Sequence, residues 1–174
     1  AQRLIVERQD KTAIPFLKTL VAETASPLGK VHALWTLEGL SALDESLVLA
    51  ALKDQHPRVR EHAVRLAENF ARSKPIQAAV LAMASDADVR VQFQTAFTLG
   101  EMKDIRAMDT LAELAMKHAE NQWFRLAVLS SVNDSAAQFF ALLRKKNPGF
   151  DNKQLFSQLA ALIGGKHDAN ELAG

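Results

Sequence analysis

The sequence predicts an all-α fold: an α-solenoid, or α-α superhelix, of about five helical hairpins forming one domain over residues 1–174. Three observations predict it. An aspartate-containing turn running into Val-Arg and then an apolar stripe occurs twice, as "DQHPRVREHAVRLAENF" from Asp54 and "SDADVRVQFQTAFTLGEM" from Ser85. Apolar residues in each copy recur at helical spacing, and no stretch alternates apolar and polar side chains as a strand does. Proline and short polar side chains stand where helices are expected to begin.

Leu4, Ile5 and Glu7 read as the middle of a helix with no cap before it, so a domain cut from a longer chain is expected. Ile14, Leu17 and Val21 mark the next helix. Ser26 and Pro27 open a third, where Lys30, His32, Ala33, Leu37, Glu38 and Leu40 fall thirty residues before Arg60, His62, Ala63, Ala67, Glu68 and Phe70. Asp44 suits the cap of a helix carrying Val48, Ala51 and Leu52, and Pro57 opens the one carrying Val59, Ala63 and Leu66. Pro75 begins a helix with Ile76, Ala79, Val80 and Met83. Asp86 is expected to cap the next helix. Setting Arg90 over Arg60 gives that helix Val89, Phe93, Ala96, Phe97 and Gly100 as its buried stripe. After Leu111, Leu114 and Ala115, the stretch "WFRLAVLSSV" puts Phe124, Arg125, Val128, Ser131 and Val132 in the same places thirty-five residues on. Ala136, Phe139, Phe140 and Leu143 follow, and "NPGFD" from Asn147 breaks the pattern before a last helix around 155–163. The tail "GGKHDANELAG" from Gly164 is expected to fray or run on into further chain.

Composition narrows the chemistry. With 48% hydrophobic and 24% charged residues the chain can bury a core, which argues against disorder. Its 21 basic and 20 acidic side chains leave a net charge of +1, so no general affinity for nucleic acid or an acidic membrane is expected. There is no cysteine, which removes disulfides, thiolate zinc sites, thiol catalysis and Cys-x-x-Cys-His haem attachment. No apolar run reaches the ~20 residues that span a bilayer.

Four basic residues, Lys30, Arg60, Arg90 and Arg125, would line up along the second helices. They form either an anion track or, the favoured reading, ties to acidic residues of their own or neighbouring turns such as Asp54, Asp86 and Asp88. His32 and His62 occupy equivalent positions near Glu38 and Glu61. Without an HExxH pattern they read as ordinary hydrogen-bonded histidines, and no metal is expected. His56, His118 and His167 read as caps or surface groups. Trp35 and Trp123 stand on second helices, as packing or partner anchors more than as a cradle for an extruded base. Ser130 and Ser131 lack an evident base, and "IGGK" ends a helix instead of opening one. The expected surface is His32, Trp35, Arg65 and Trp123, with no catalytic residue and no cofactor. A nucleic-acid enzyme and a metal-dependent oxygenase on the same fold are the alternatives.

The turn "DQHPRVR" at Asp54 to Arg60 resembles that of HEAT repeats; in "ASDADVR" at Ala84 to Arg90, Ala84 and Ala87 replace the expected aspartate and proline, leaving Asp86 or Asp88 to take the aspartate's role. "HALWTLEGL" at His32 to Leu40, "VRLAE" at Val64 to Glu68, "TLGEM" at Thr98 to Met102 and "WFRLAVLSS" at Trp123 to Ser131 are more particular. They resemble the HEAT segment of large bacterial membrane-bound dehydrogenases with a haem-binding domain, over about Leu4 to Lys145. That resemblance implies a sugar-dehydrogenase-like β-propeller before the segment, a c-type cytochrome domain after it and a location outside the cytoplasm. Its implied role is a spacer or docking surface whose partner is a protein or a flanking domain.

Overall fold

The computed structural model describes residues 2–102 and 104–171, with side chains as far as Gly165. Helices account for its regular structure, and no strand occurs among the described residues. The fold is all-α, built from helical hairpins of the α-solenoid class. Two compact units divide the chain, Ala1–Thr95 and Ala96–Gly174.

The first unit holds α1 (Gln2–Glu7), α2 (Ile14–Glu23), α3 (Pro27–Gly39), α4 (Glu45–Ala51), α5 (Pro57–Leu66), α6 (Lys74–Met83) and the part of α7 (Val89–Glu101) up to Thr95. Within it α2 packs on α3 and α4 on α5, while α1 lies on α3, α3 on α5 and α4 on α6. First helices therefore stack on first helices and second on second. Leu34, Leu37, Val48, Val59, Ala63, Leu66, Ile76 and Val80 are fully buried between them. A side chain of leucine size contributes about 1.5–3 kcal/mol on such burial.

At six residues α1 is too short to persist alone. It keeps its shape as a second helix resting on α3, with the Val6 methyls against Gly39 and the Gln9 amide donating to the Gly39 carbonyl at 3.1 Å. Gln9 and Ser41 close α1 and α3 alike, in left-handed conformation with φ of 50° and 53°. The Asp10 N–H returns to the Ile5 carbonyl and the Ala42 N–H to that of Leu37.

The second unit holds the remainder of α7, then α8 (Ile105–Lys117), α9 (Gln122–Ser131), α10 (Ala136–Lys146) and α11 (Lys153–Glu171). Here α8 packs on α9, α10 on α11, α8 on α10 and α9 on α11, the same pairing. Phe124, Val128, Val132, Phe139, Leu143, Leu155 and Leu159 form the interior. α11 runs on through Gly164 and Gly165, beyond the expected end near residue 163. The His167 side chain lies outside the described residues.

Two expectations about α7 are corrected. Asp86 does not cap it; Asp88 does, its Oδ1 accepting from the Arg90 N–H at 2.8 Å. The helix phase is accordingly two residues from the one obtained by matching Arg90 to Arg60. Counting from the capping residue, Asp88 corresponds to His56, Val91 to Val59, Gln92 to Arg60 and Thr95 to Ala63. Val91, Thr95, Ala96, Thr98 and Leu99 are buried, whereas Val89 is 49% and Phe97 37% exposed. The Val-Arg-Val run at 89–91 offers two residues that can be matched to Val59, and only the cap distinguishes them.

Within the second unit α7 and α9 approach at Gly100, where an added Cβ would stand 2.8 Å from the Ser131 Cα. Ser131 Oγ donates to the Ala96 carbonyl at 2.7 Å across the same approach.

Leu66→Ala should therefore cost about 2–5 kcal/mol, and Phe97→Ala clearly less, in urea unfolding. An equal cost for both would restore the discarded phase. Gly100→Ala gains about 1 kcal/mol of helix propensity. It loses about 1–3 kcal/mol to overpacking against backbone that has no rotamer to yield. A net fall in stability is expected, and a rise in Tm would show that the helices can separate.

Candidate interaction surface

In the turns before α5 and α7 one carboxylate does two things. Asp54 Oδ1 accepts from the His56 N–H at 2.8 Å while Oδ2 receives Lys30 Nζ of the preceding second helix at 2.6 Å. Asp86 Oδ1 accepts from the Asp88 N–H at 2.8 Å, and its two oxygens take Arg60 Nη2 and Nε at 2.8 and 2.7 Å. Arg60 Nη1 also donates to the carbonyls of Asp54 and Gln55 in its own turn, at 2.8 and 2.9 Å. A flat guanidinium can serve both turns; a lysine ammonium is a point charge on a flexible stem. Lys18 and Asp44 make a similar tie between first helices at 2.8 Å.

These pairs set the acid response. The Lys18 ammonium, with the Ser46 hydroxyl and the Leu47 N–H, holds Asp44 at about 2 against the opposing effect of burial. Arg60 lowers Asp86. Burial raises Asp54, but Lys30 and the His56 N–H outweigh it and the net shift is downward.

The expected row is found in altered form. Lys30 and Arg60 reach the next turn, as described. Arg90 lies off the row and pairs with Asp88 of its own turn at 3.1 Å. Gln92 stands in the row and donates to the Asp86 carbonyl. In the second unit Arg125 takes a carbonyl instead of a carboxylate, donating Nη1 to Ala119 at 2.8 Å, while its buried Nε has no hydrogen-bond partner among the described residues.

Residues 45–133, more than half of the chain, match the family model for HEAT repeats. The chain belongs to the HEAT repeat family. HEAT repeats generally serve as protein-interaction scaffolds. No curated protein matches the sequence.

On the first unit of this HEAT chain, His32 and Trp35 of α3 are followed thirty residues later by His62 and Arg65 of α5. Trp35 is half-buried; His32 and Arg65 are exposed. The Trp35 Nε1–H donates to His62 Nδ1 at 3.1 Å, and His32 Nδ1 meets Gln2 Oε1 at 2.6 Å. Glu61 is engaged by Arg58 at 2.8 Å. Among the described residues no three histidine, aspartate or glutamate side chains gather as metal ligands.

Beside this row a cavity of about 380 Å³ is lined by Pro27, Leu28, Val31, His56, Arg58 and His62. Leu28 is 66% exposed at its mouth. A second cavity of about 730 Å³ shares Pro27 and His56 with it and adds Lys30, Lys53 and Asp54. Leu28 and Lys53 were missed by sequence reasoning. Their signal is positional, since each lies just inside or just outside a helix end, where the stripe analysis assigns no role.

The second unit has its own exposed aromatic. Trp123 is 62% exposed in the first turn of α9, with Leu126 exposed one turn further. His118 caps the end of α8 as expected, its N–H returning to the Leu114 carbonyl at 3.0 Å, and its half-buried ring stacks on Phe124 at 3.9 Å. Ser130 lines a groove between α9 and α11 with Leu126, Leu129 and Leu162. Among the described residues no single helix is long and apolar enough to cross a membrane. The segments 122–131 and 133–146 reach that composition only together and are bent by 70°.

Arg60→Ala should cost about 3 kcal/mol by stranding the nearly buried Asp86 carboxylate. In hydrogen exchange the amides of α5 and of the turn before α7 should speed up while those of α2 and α3 hold; uniform acceleration would contradict a local tie. Because the folded values of Asp44, Asp54 and Asp86 lie below the ordinary 3.8, their stabilisation is full above that pH. It is lost as pH falls from there through the folded values, about 2 for Asp44, which acid titration of the unfolding midpoint checks.

Proposed function

We propose that this HEAT chain is a non-catalytic scaffold that binds a protein partner through the α3/α5 face of its first unit. The carrying observation is the apolar slot at Leu28 and Val31, bordered by Arg58, His56 and His62 and adjoining Lys53. An apolar side chain fits the slot, and Arg58 and Lys53 beside it favour acidic residues on either side, so the partner we infer is an acidic segment bearing one large apolar anchor. His32, Trp35 and Arg65 extend this face along α3 and α5. Trp123, with Leu126, is a separate contact on the second unit: a large, rigid, amphipathic side chain of the kind that anchors interfaces.

The wider setting we infer is a spacer or docking module of a bacterial dehydrogenase-cytochrome-like protein, outside the cytoplasm. The support is the resemblance of His32 to Leu40, Val64 to Glu68, Thr98 to Met102 and Trp123 to Ser131. Gene sequence on both sides lacking a propeller and a haem-attachment motif would refute it.

Selection of a displayed peptide library on the intact chain should enrich peptides with a large apolar residue flanked by aspartate or glutamate. Leu28→Asp and Arg58→Glu should each weaken the selected peptides at least about tenfold, the scale of one buried anchor or one close charge reversal. Undiminished binding by both variants would remove this face from the assignment.

A further inference from the structure

The Trp35–His62 contact has a direction. An indole N–H can only donate, so His62 Nδ1 must present its lone pair, and the ring is the neutral tautomer with its proton on Nε2. The rings meet edge to face, with centroids 6.1 Å apart and planes at 89°, so the indole edge points at the imidazole. The contact between His32 and Gln2 is the reverse case: Nδ1 faces a side-chain carbonyl oxygen, to which a protonated ring still donates. Adding a proton therefore leaves the α1–α3 contact intact and sets N–H against N–H at the α3–α5 contact.

We propose that the Trp35–His62 hydrogen bond is an acid-sensitive latch between α3 and α5, closed when His62 is neutral and released when it is protonated. Release frees the indole from its partner and places a positive charge on the wall of the slot formed by Leu28, Val31 and Arg58. The groups acting on His62 are Glu61, Arg58 and Arg65 of its own helix and His32 of α3. From the other elements packed on α5 come Glu45 of α4, engaged by the Ser73 hydroxyl, and Glu68 of the 67–70 turn. The turn before α7 brings Asp86 and Asp88, held by Arg60 and Arg90. Burial, foremost, together with Arg58, Arg65 and His32, holds His62 below its ordinary 6.5 against the pull of Glu61. The latch is consequently closed near neutrality, and its stabilising effect is lost as pH falls below 6.5 toward the folded value.

The test follows the indole N–H resonance of Trp35 in the 174-residue chain carrying Trp123→Phe, which leaves a single indole, from pH 7.5 to 5. The expected result is a titration of that resonance with its midpoint below 6.5. His62→Gln supplies an acceptor that does not titrate and should abolish the transition. In Trp35→Phe the His62 ring proton should titrate at higher pH than in the parent, which provides a readout should His62→Gln fail to fold. An indole resonance constant over that range, the same transition in His62→Gln, or an unmoved His62 midpoint in Trp35→Phe would each overturn the latch.

Discussion

The turn carboxylate at Asp54 and Asp86 is the constraint on which the first unit depends. One oxygen accepts the N–H two residues ahead and so sets where the second helix begins. Because an α-helix turns 100° per residue, fixing its first residue fixes which side chains face inward. The same carboxylate receives the cation of the preceding second helix, at Lys30 or Arg60. Helix phase and neighbour stacking thus follow from one side chain. A single bond of this kind is worth only about 1–3 kcal/mol, yet it decides how a buried apolar stripe worth several times more is oriented.

The second unit meets the same demand with different groups. Asn121 caps α9 with bonds to the Trp123 and Phe124 N–H groups, and Asn152 caps α11. The place of the turn carboxylate is taken by Ala119, whose carbonyl receives both Arg125 and Asn152. A backbone acceptor takes the place of the turn carboxylate for Arg125, while Glu120 beside it accepts from Asn152 at 3.1 Å. Close contact at Gly100 and Ser131 does there what charge pairing does in the first unit, bringing second helices together without a salt bridge.

Pairing of the row cations with turn carboxylates also shapes what remains for a partner. Lys30 and Arg60 are spent within the fold, so in the proposed scaffold the groups left for a partner lie beside the row: the apolar slot at Leu28 and Val31, Arg58 and Lys53 next to it, and Trp35 with its histidine. A scaffold built this way presents nearly neutral net charge and a local basic edge. That combination suits a specific acidic segment better than a polyanion, whose binding needs many unpaired cations in a line.

Hairpin number, helix type and most helix starts were legible in the amino-acid order, because periodicity and capping chemistry are local. Ser26, Asp44 and Pro57 mark helices that begin where expected, and Val48, Ala63, Leu66 and Leu111 are buried as their spacing predicts. The phase of α7 was not legible from residue identity, since Val89 and Val91 are interchangeable until the cap at Asp88 is seen. Gln92 was invisible as a member of the row for the same reason. Nor could the order of residues give the direction of the Trp35–His62 bond or the slot at Leu28. Both arise where separate helices meet, and the distance between side chains on different helices is set by packing, which no local pattern encodes.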